Sequence, residues 1–294
     1  MSFWKRLFRK PRRPSPDTVK TAPLDVGVLG HAPPVHAVRR MVLGAAQSTG
    51  IERTHNEDAL FYMIGRADGQ EPLPDFGLFV VADGMGGHRS GEVASSISVR
   101  TVARKITAET IVHLFDIEPQ EEASSLQELV QEALEEANLA VVDRVPGGGT
   151  TLTVAVLLGQ QITIGHVGDS RAYLITRDEA RALTRDHSLV QRLVELEQLT
   201  EEEAALHPQR NVLWNAIGQG ANLKVDVFSE PVPHGGYMLM CSDGLWGTVP
   251  EKDIRRIVLN AGDPQTACDQ LVRAANGAGG PDNITAILIY FPSD

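Results

Sequence analysis

Three aspartates share one kind of setting, an apolar run meeting a glycine-containing turn: Asp83 in FVVADGMGG, Asp243 in MLMCSDGLWG and Asp282 in GGPDNITAILI. A strand end holds a carboxylate against a packed scaffold, and Gly84 and Gly244 remove the Cβ that would keep a backbone carbonyl away from an ion. Carboxylates gathered in one place cannot all stay ionised unless a cation stands between them. Oxygen donors of this type suit a hard divalent metal. A single Asp-Gly pair is a turn signal; its setting beside three apolar runs favours the metal reading. A fourth acidic cluster, Arg53-Thr54-His55-Asn56-Glu57-Asp58, precedes another apolar run. It reads either as a surface salt bridge or as a clamp, with the planar Arg53 fork on a pair of phosphate oxygens and Glu57 and Asp58 holding metal-bound waters.

The glycines of Asp83-Gly84-Met85-Gly86-Gly87-His88 invite a nucleotide-loop reading, which fails on chemistry. No Lys followed by Ser or Thr completes a Walker loop, Arg89 stands where G-x-G-x-x-G needs its third glycine, and Asp83 would face the phosphates unshielded. Composition narrows the classes further. Lys and Arg number 27 against 38 Asp and Glu, a net charge of −11, so the body of the protein should repel nucleic acid. No apolar run reaches the length of a membrane-spanning helix. Cys241 and Cys268 cannot form a disulfide framework or a four-ligand zinc site, and free thiols suit a reducing cytoplasm.

The elements that must position these residues begin near Met41. Residues 1–40 form a basic, Pro-rich tail expected to be disordered: the first 20 residues carry a local charge of +6, and six prolines lie within 11–38. Phe3, Trp4, Leu7 and Phe8 among Lys5, Arg6, Arg9 and Lys10 leave open a peripheral membrane contact through residues 3–13, beside the alternative of a solubilising tail. Beyond the tail, apolar runs predict strands over 41–46, 59–64, 77–82, 151–158, 161–166, 171–175, 224–228, 237–241 and 284–291. Helical spacing predicts helices over 91–106 and 126–141, and two more near 250–260 and 264–275. The strands between 151 and 175 are joined by connections too short for crossover helices, which argues for antiparallel pairing. Residues 187–217 read as a charged helical insert within a domain spanning 41–294.

Taken in order, the motifs resemble those of the type-2C metal-dependent serine/threonine protein phosphatases, in particular their bacterial branch. They are RTHNEDA at 53–59, VVADGMGGHRSGEVAS at 80–95, GGGTTLTVAVL at 147–157, GHVGDSRAYLI at 165–175, MCSDGLWGTV at 240–249 and GGPDNITAILI at 279–289, with the insert between the fourth and fifth. The resemblance implies an α+β fold, a four-layer α-β-β-α sandwich with two antiparallel sheets, and a site for two Mn²⁺ or Mg²⁺ ions. By matching motifs, Asp83 would bridge both ions, the Gly84 carbonyl would serve one, Asp243 and Asp282 the other, and Glu57 and Asp58 would act through water. Arg53 would hold the substrate phosphate. The implied reaction is in-line attack of a metal-shared water on phosphoserine or phosphothreonine in proteins, with no phosphoenzyme. Implied partners are phosphorylated proteins, including Ser/Thr kinases and their substrates, in the cytoplasm or at a membrane periphery.

Two details of the resemblance bear on mechanism. Met85 stands where animal members carry a histidine thought to protonate the leaving group, which leaves water or His88 for that role. Bacterial relatives also use a third ion, for which Asp143 together with Asp243 is the candidate pair, although a solvated helix-end charge is the other reading of Asp143. Asp169, Ser170, Thr150 and Thr151 read as turn-bracing residues, and His55, His166, His187 and His207 as structural or surface histidines. Two other functions stay open: a phosphoprotein-binding sensor with weak or no turnover, and a phosphatase of small phosphate esters.

Overall fold

A computed structural model describes residues 41–66, 74–86, 89–115 and 125–293. The expected tail, its membrane contact through residues 3–13, and His88 lie outside the described residues. The chain runs through β1 (Val42–Ser48), β2 (Ala59–Gly65), β3 (Phe76–Ala82), β4 (Gly84–Met85), α1 (Arg89–Ile106), α2 (Leu126–Arg144), β5 (Gly149–Thr150), β6 (Leu152–Leu158), β7 (Gln161–Val167), β8 (Arg171–Ile175) and β9 (Ala180–Ala182). It continues through α3 (Leu189–Glu195), α4 (Glu201–Leu206), β10 (Asp226–Pro231), β11 (Tyr237–Cys241), α5 (Asp243–Trp246), α6 (Glu251–Asn260), α7 (Pro264–Gly277) and β12 (Ile284–Tyr290).

Two five-stranded sheets result, in the orders β1-β12-β11-β8-β9 and β10-β7-β6-β3-β2, with neighbouring strands antiparallel throughout. Period-2 alternation explains how they stack. In β3, buried on both faces, Leu78 and Val80 meet Val102, Ile106 and Leu134 of α1 and α2, while Phe79 and Val81 turn toward the other sheet. There they join Met238, Met240, Ile287 and Ile289 in the core between the sheets. The opposite faces of those strands, Leu239, Cys241 and Leu288, pack with Ile254 and Val258 of α6 and with Cys268 and Leu271 of α7. The order of layers is therefore helix, sheet, sheet, helix.

Local signals fix the helices that cover the sheets. Ser125 and Glu128 form a reciprocal capping box at the start of α2, at 3.2 and 3.0 Å. Asp263 caps α7 through the Thr266 amide at 2.9 Å, with Pro264 in the first turn. In the 187–217 segment, Ser188 caps α3, and Thr200 with Glu203 boxes α4. The ends of this segment are tied together by a bridge between Ser188 and Leu213 and by Asn215 Nδ2 bonded to His187 Nδ1 at 2.7 Å. Two differences from the sequence reading are small and physical. The expected strand at 224–228 begins at Asp226, and the ribbon of β4 and β5, two residues each, is too short to carry a periodic signal.

His166 of β7 lies fully inside this frame. Its Nε2 donates to the Arg185 carbonyl at 3.1 Å, and its Nδ1 lies 2.9 Å from the Thr153 hydroxyl, which can donate to it when the ring is neutral. Burial, then the neighbouring His187, pushes its pKa down to about 3. A ring whose folded pKa lies below the unfolded value near 6.5 lends stability that is complete above that value and is lost as pH falls toward the folded pKa. Urea titrations of the parent should therefore lose up to about 1.4 kcal/mol more per pH unit below about 6.5 than those of His166→Gln. Equal acid slopes for the two proteins would contradict the assignment.

Candidate active site and metal centre

One end of the sandwich gathers the ends of strands from both sheets. Asp83 follows β3, Asp243 follows β11 at the first turn of α5, and Asp282 precedes β12, whose Ala286 lies opposite Cys241 of β11. The β1–β2 connection brings Arg53, Glu57 and Asp58 to the same end, because Ser48 pairs with Ile284. Arg53, Glu57, Asp83, Gly84, Asp169, Asp243 and Asp282 line one cavity of about 530 Å³. His55, Met85 and Thr151 share its wall, and Asn211 and Leu213 reach it from the 187–217 segment.

The backbone around Asp83 is fixed from both sides. Its amide donates to Thr151 Oγ1 at 2.9 Å, and its carbonyl accepts from the Thr151 amide at 2.8 Å and the Thr150 hydroxyl at 2.9 Å. Gly84 admits no side chain, since a Cβ would stand 2.3 Å from the Gly91 carbonyl oxygen and 2.6 Å from that of Glu57. Asp58 does not line the cavity; it lies beneath it, buried, with Oδ2 accepting from Ser242 Oγ at 2.8 Å and Thr285 Oγ1 at 2.6 Å. That carboxylate ties the residue before Asp243 to the start of β12.

Electrostatics make the cluster costly as it stands. Burial first, and then the charges of Asp58, Asp243, Asp169 and Asp282, raise the Asp83 carboxyl well above the ordinary range. Burial and the neighbouring carboxylates likewise push Asp58 up to about 7, and Asp243 up to about 6 with Asp83 within hydrogen-bonding reach. Burial raises Glu57 as well. Asp58 Oδ1 and Asp243 Oδ1 are buried without a hydrogen-bond partner. Unsatisfied, mutually repelling carboxylate oxygens are what a hard cation would neutralise, so this donor set fits Mg²⁺ or Mn²⁺. Among the described residues no three His, Cys, Asp or Glu side chains close a ready-made cage. Such cations take carbonyl and water ligands as well, which three or four carboxylates need only supplement. Asp282 meanwhile accepts from Arg53 Nη2 at 2.7 Å, and Arg53 Nε lies 3.4 Å from the Pro281 carbonyl oxygen.

Two residues sit differently from their expected roles. Asp143 is exposed in the last turn of α2 and is absent from the cavity lining. Asp169, expected to brace a turn, lines the cavity with 6% of its surface exposed. Burial and then Asp243 raise its carboxyl well above the ordinary range, so the two acids stand as neighbours. Its backbone is held by Trp246 Nε1, which donates to the Asp169 carbonyl at 3.0 Å, and Trp246 is itself stacked under Arg171. The strand-end rule applied to the other aspartates also covers Gly168-Asp169 after β7. Turn chemistry masked that signal.

Comparison with known proteins agrees with this geometry. The family model described as Protein phosphatase 2C matches residues 45–225. The chain is 36% identical over 239 residues to the serine/threonine phosphatase stp of Listeria innocua, covering 81% of this chain and 90% of that protein. It is 35% identical over 259 residues to protein phosphatase PhpP of Streptococcus pneumoniae, covering 85% and 97%. The crystal structure of the serine/threonine phosphatase PstP/Ppp of Mycobacterium tuberculosis superposes with a TM-score of 0.71 at 28% identity, over 86% of this chain and 99% of that one. A PstP catalytic domain in complex with two manganese ions superposes at 0.68 and 28% identity, over 85% and 97%. On the family match, the two-sheet sandwich and the shared length with these relatives, the chain belongs to the protein phosphatase 2C family.

Proposed function

We propose that this phosphatase removes phosphate from phosphoserine and phosphothreonine in proteins, with Asp83, Asp243, Asp282 and the Gly84 carbonyl holding two divalent cations, Mn²⁺ or Mg²⁺. The observation that carries the reading is the set of strand-end carboxylates Asp83, Asp243 and Asp282 facing one cavity beside Arg53, with Asp243 Oδ1 buried and unpartnered. When bound, the cations supply positive charge for the phosphoryl oxygens and lower the pKa of water to give the nucleophile. Glu57 and Asp58 act through water, and Asp58 also sets the spacing of the two strand ends through Ser242 and Thr285. Arg53, half exposed at the mouth, offers its planar fork to the phosphate.

Hydrolysis without a phosphoenzyme is part of this reading: the described cavity wall contains no Ser or Cys, and of its two threonines, Thr54 and Thr151, the latter has its hydroxyl engaged by the Asp83 amide and by Ser170 Oγ at 2.7 Å. Met85 cannot donate a proton, which leaves water or His88, outside the described residues, to protonate the leaving alkoxide. For a third ion, the neighbouring pair Asp169 and Asp243 is better placed than Asp143 with Asp243. Retention of every acid in the cluster favours turnover over a sensor without catalysis. The reach of Asn211 and Leu213 to the cavity favours protein substrates, such as kinases and their targets, over small esters. Buried free thiols at Cys241 and Cys268 favour the cytoplasm.

Phosphopeptide hydrolysis should vanish in EDTA and return with Mn²⁺. Asp83→Asn, Asp243→Asn and Asp282→Asn should each lower kcat about 100-fold or more, while the metal-free Asp243→Asn protein melts above the metal-free parent because a repelled carboxylate is gone. Turnover that persists after exhaustive chelation would refute the metal assignment.

Arg53→Ala should raise KM, and the Ki of inorganic phosphate, about 10- to 100-fold, the worth of one charge-assisted hydrogen bond. Calorimetry should find its Mn²⁺ binding intact; loss of Mn²⁺ binding with a normal KM would reverse the role given to Arg53.

Asp169→Asn should lower turnover at saturating Mn²⁺ about tenfold or more, a loss of the size seen when groups around a metal are changed. Asp143→Ala should match the parent. The opposite ranking in side-by-side kinetics would restore Asp143 as the third-ion residue.

A further inference from the structure

We propose that Asn283 is a positioning residue for Arg53, whose one carboxamide holds the loop carrying the guanidinium and thereby sets affinity for the phosphoryl group. The inference rests on Arg53 as the phosphate-binding residue. Asn283 follows Asp282 and is 5% exposed. Its Oδ1 accepts from the Glu57 amide at 2.7 Å, and its Nδ2 donates to the Thr49 carbonyl at 2.8 Å and the His55 carbonyl at 2.9 Å. An acceptor matched to an amide and two donors matched to two carbonyls fix the carboxamide in one orientation.

All three partners are backbone atoms of the β1–β2 connection, one at its start and two at its end, and Arg53 lies between them. On the near side, the Ile51 and Glu52 amides donate to the Gly280 carbonyl at 2.7 and 3.2 Å. Gly50 packs so closely on the same segment that a Cβ would stand 2.2 Å from the Asp282 carbonyl oxygen. The connection is therefore laid along residues 280–283 and clamped where it returns toward Glu57. Arg53 itself reaches this segment through its side chain, at Asp282 and, at 3.4 Å, the Pro281 carbonyl oxygen. Its side chain is 51% exposed, and its ion pair with Asp282 is of a kind that does little to order a loop. Asn283 borders the cavity, but both of its amide hydrogens are spent on carbonyls, so its carboxamide acts through the loop it holds rather than as a donor to the substrate.

The test uses the Mn²⁺-loaded protein, a phosphopeptide, and inorganic phosphate as the probe, with Arg53→Ala, Asn283→Ala, Asn283→Asp and the double variant Arg53→Ala/Asn283→Ala. Asn283→Ala should raise KM and the phosphate Ki about tenfold or more, as for a small misplacement of a binding group, and by a larger factor than it lowers kcat. Asn283→Asp keeps the acceptor but sets a carboxylate against two carbonyls, and should do at least as much. In the Arg53→Ala background the Asn283→Ala change should alter the phosphate Ki less than about threefold, since residues acting through one contact are not additive. A residue that only stabilised the fold would lower Tm without this dependence on Arg53. If Arg53→Ala leaves the phosphate Ki unchanged, the reading of Arg53 fails. If Arg53→Ala raises it while Asn283→Ala has no effect, or adds its full effect on top, the Asn283 proposal is overturned. Should both Asn283 variants fail to fold, hydrogen exchange of the parent decides: the Glu57 amide should exchange about 100-fold more slowly than that of Thr54, and equal rates would overturn the clamp.

Discussion

Asp58, Asp83, Asp169 and Asp243 hold protons more tightly than ordinary carboxylates because they are buried and then because they are crowded against one another and neighbouring acids. A surface loop offered such a cluster would splay apart, since each acid could regain its own hydration. The sandwich denies that escape. Asp83 leaves a strand buried on both faces, and Asp243 and Asp282 leave paired neighbours of the opposite sheet. The repulsion is thus stored rather than relaxed, and it becomes affinity for positive charge.

The storing is done by ordinary polar contacts. Asp58 draws Ser242 and Thr285 onto one oxygen, which sets the separation of two strand ends. Thr150 and Thr151 hold the backbone at Asp83. Trp246, stacked beneath Arg171, holds the backbone at Asp169 while Arg171 donates from Nε and Nη2 to the two oxygens of Asp186 at 2.9 and 2.8 Å. None of these groups needs to meet the substrate. Their contribution is to keep carboxylates where bulk solvent cannot separate them.

Much of this was legible in the sequence, and the parts that were share a cause. Apolar runs along residues 77–82 and 284–289 and the short links between 151 and 175 report local geometry, so strands and antiparallel pairing could be read. Asp83, Asp243 and Asp282 were legible because a strand end and a glycine lie beside each in the chain. Asp169 meets the same criterion but sits in a run that also makes a good turn, and only the apposition of β7 and β8 with β11 decides between the readings. The place of Asp58 beneath the cavity and the bonds of Asn283 were not legible at all. Each depends on residues more than 180 positions apart, for which local spacing carries no information.

The antiparallel register of β1 with β12, from Val42 opposite Tyr290 to Ser48 opposite Ile284, joins the two extremes of the described chain. The bonds of Asn283 to the β1–β2 connection span 226 to 234 residues. Contacts of that separation close late in folding, after local hairpins have formed. During synthesis Arg53, Glu57 and Asp83 emerge well before Asp243, Asp282 and Asn283. A chain interrupted before Asp282 lacks that acid, Asn283 and the partner of its first strand. The closing strand and the residues just before it thus bring the last acid of the cluster and the Asn283 clamp together, so an unfinished copy of this protein lacks both.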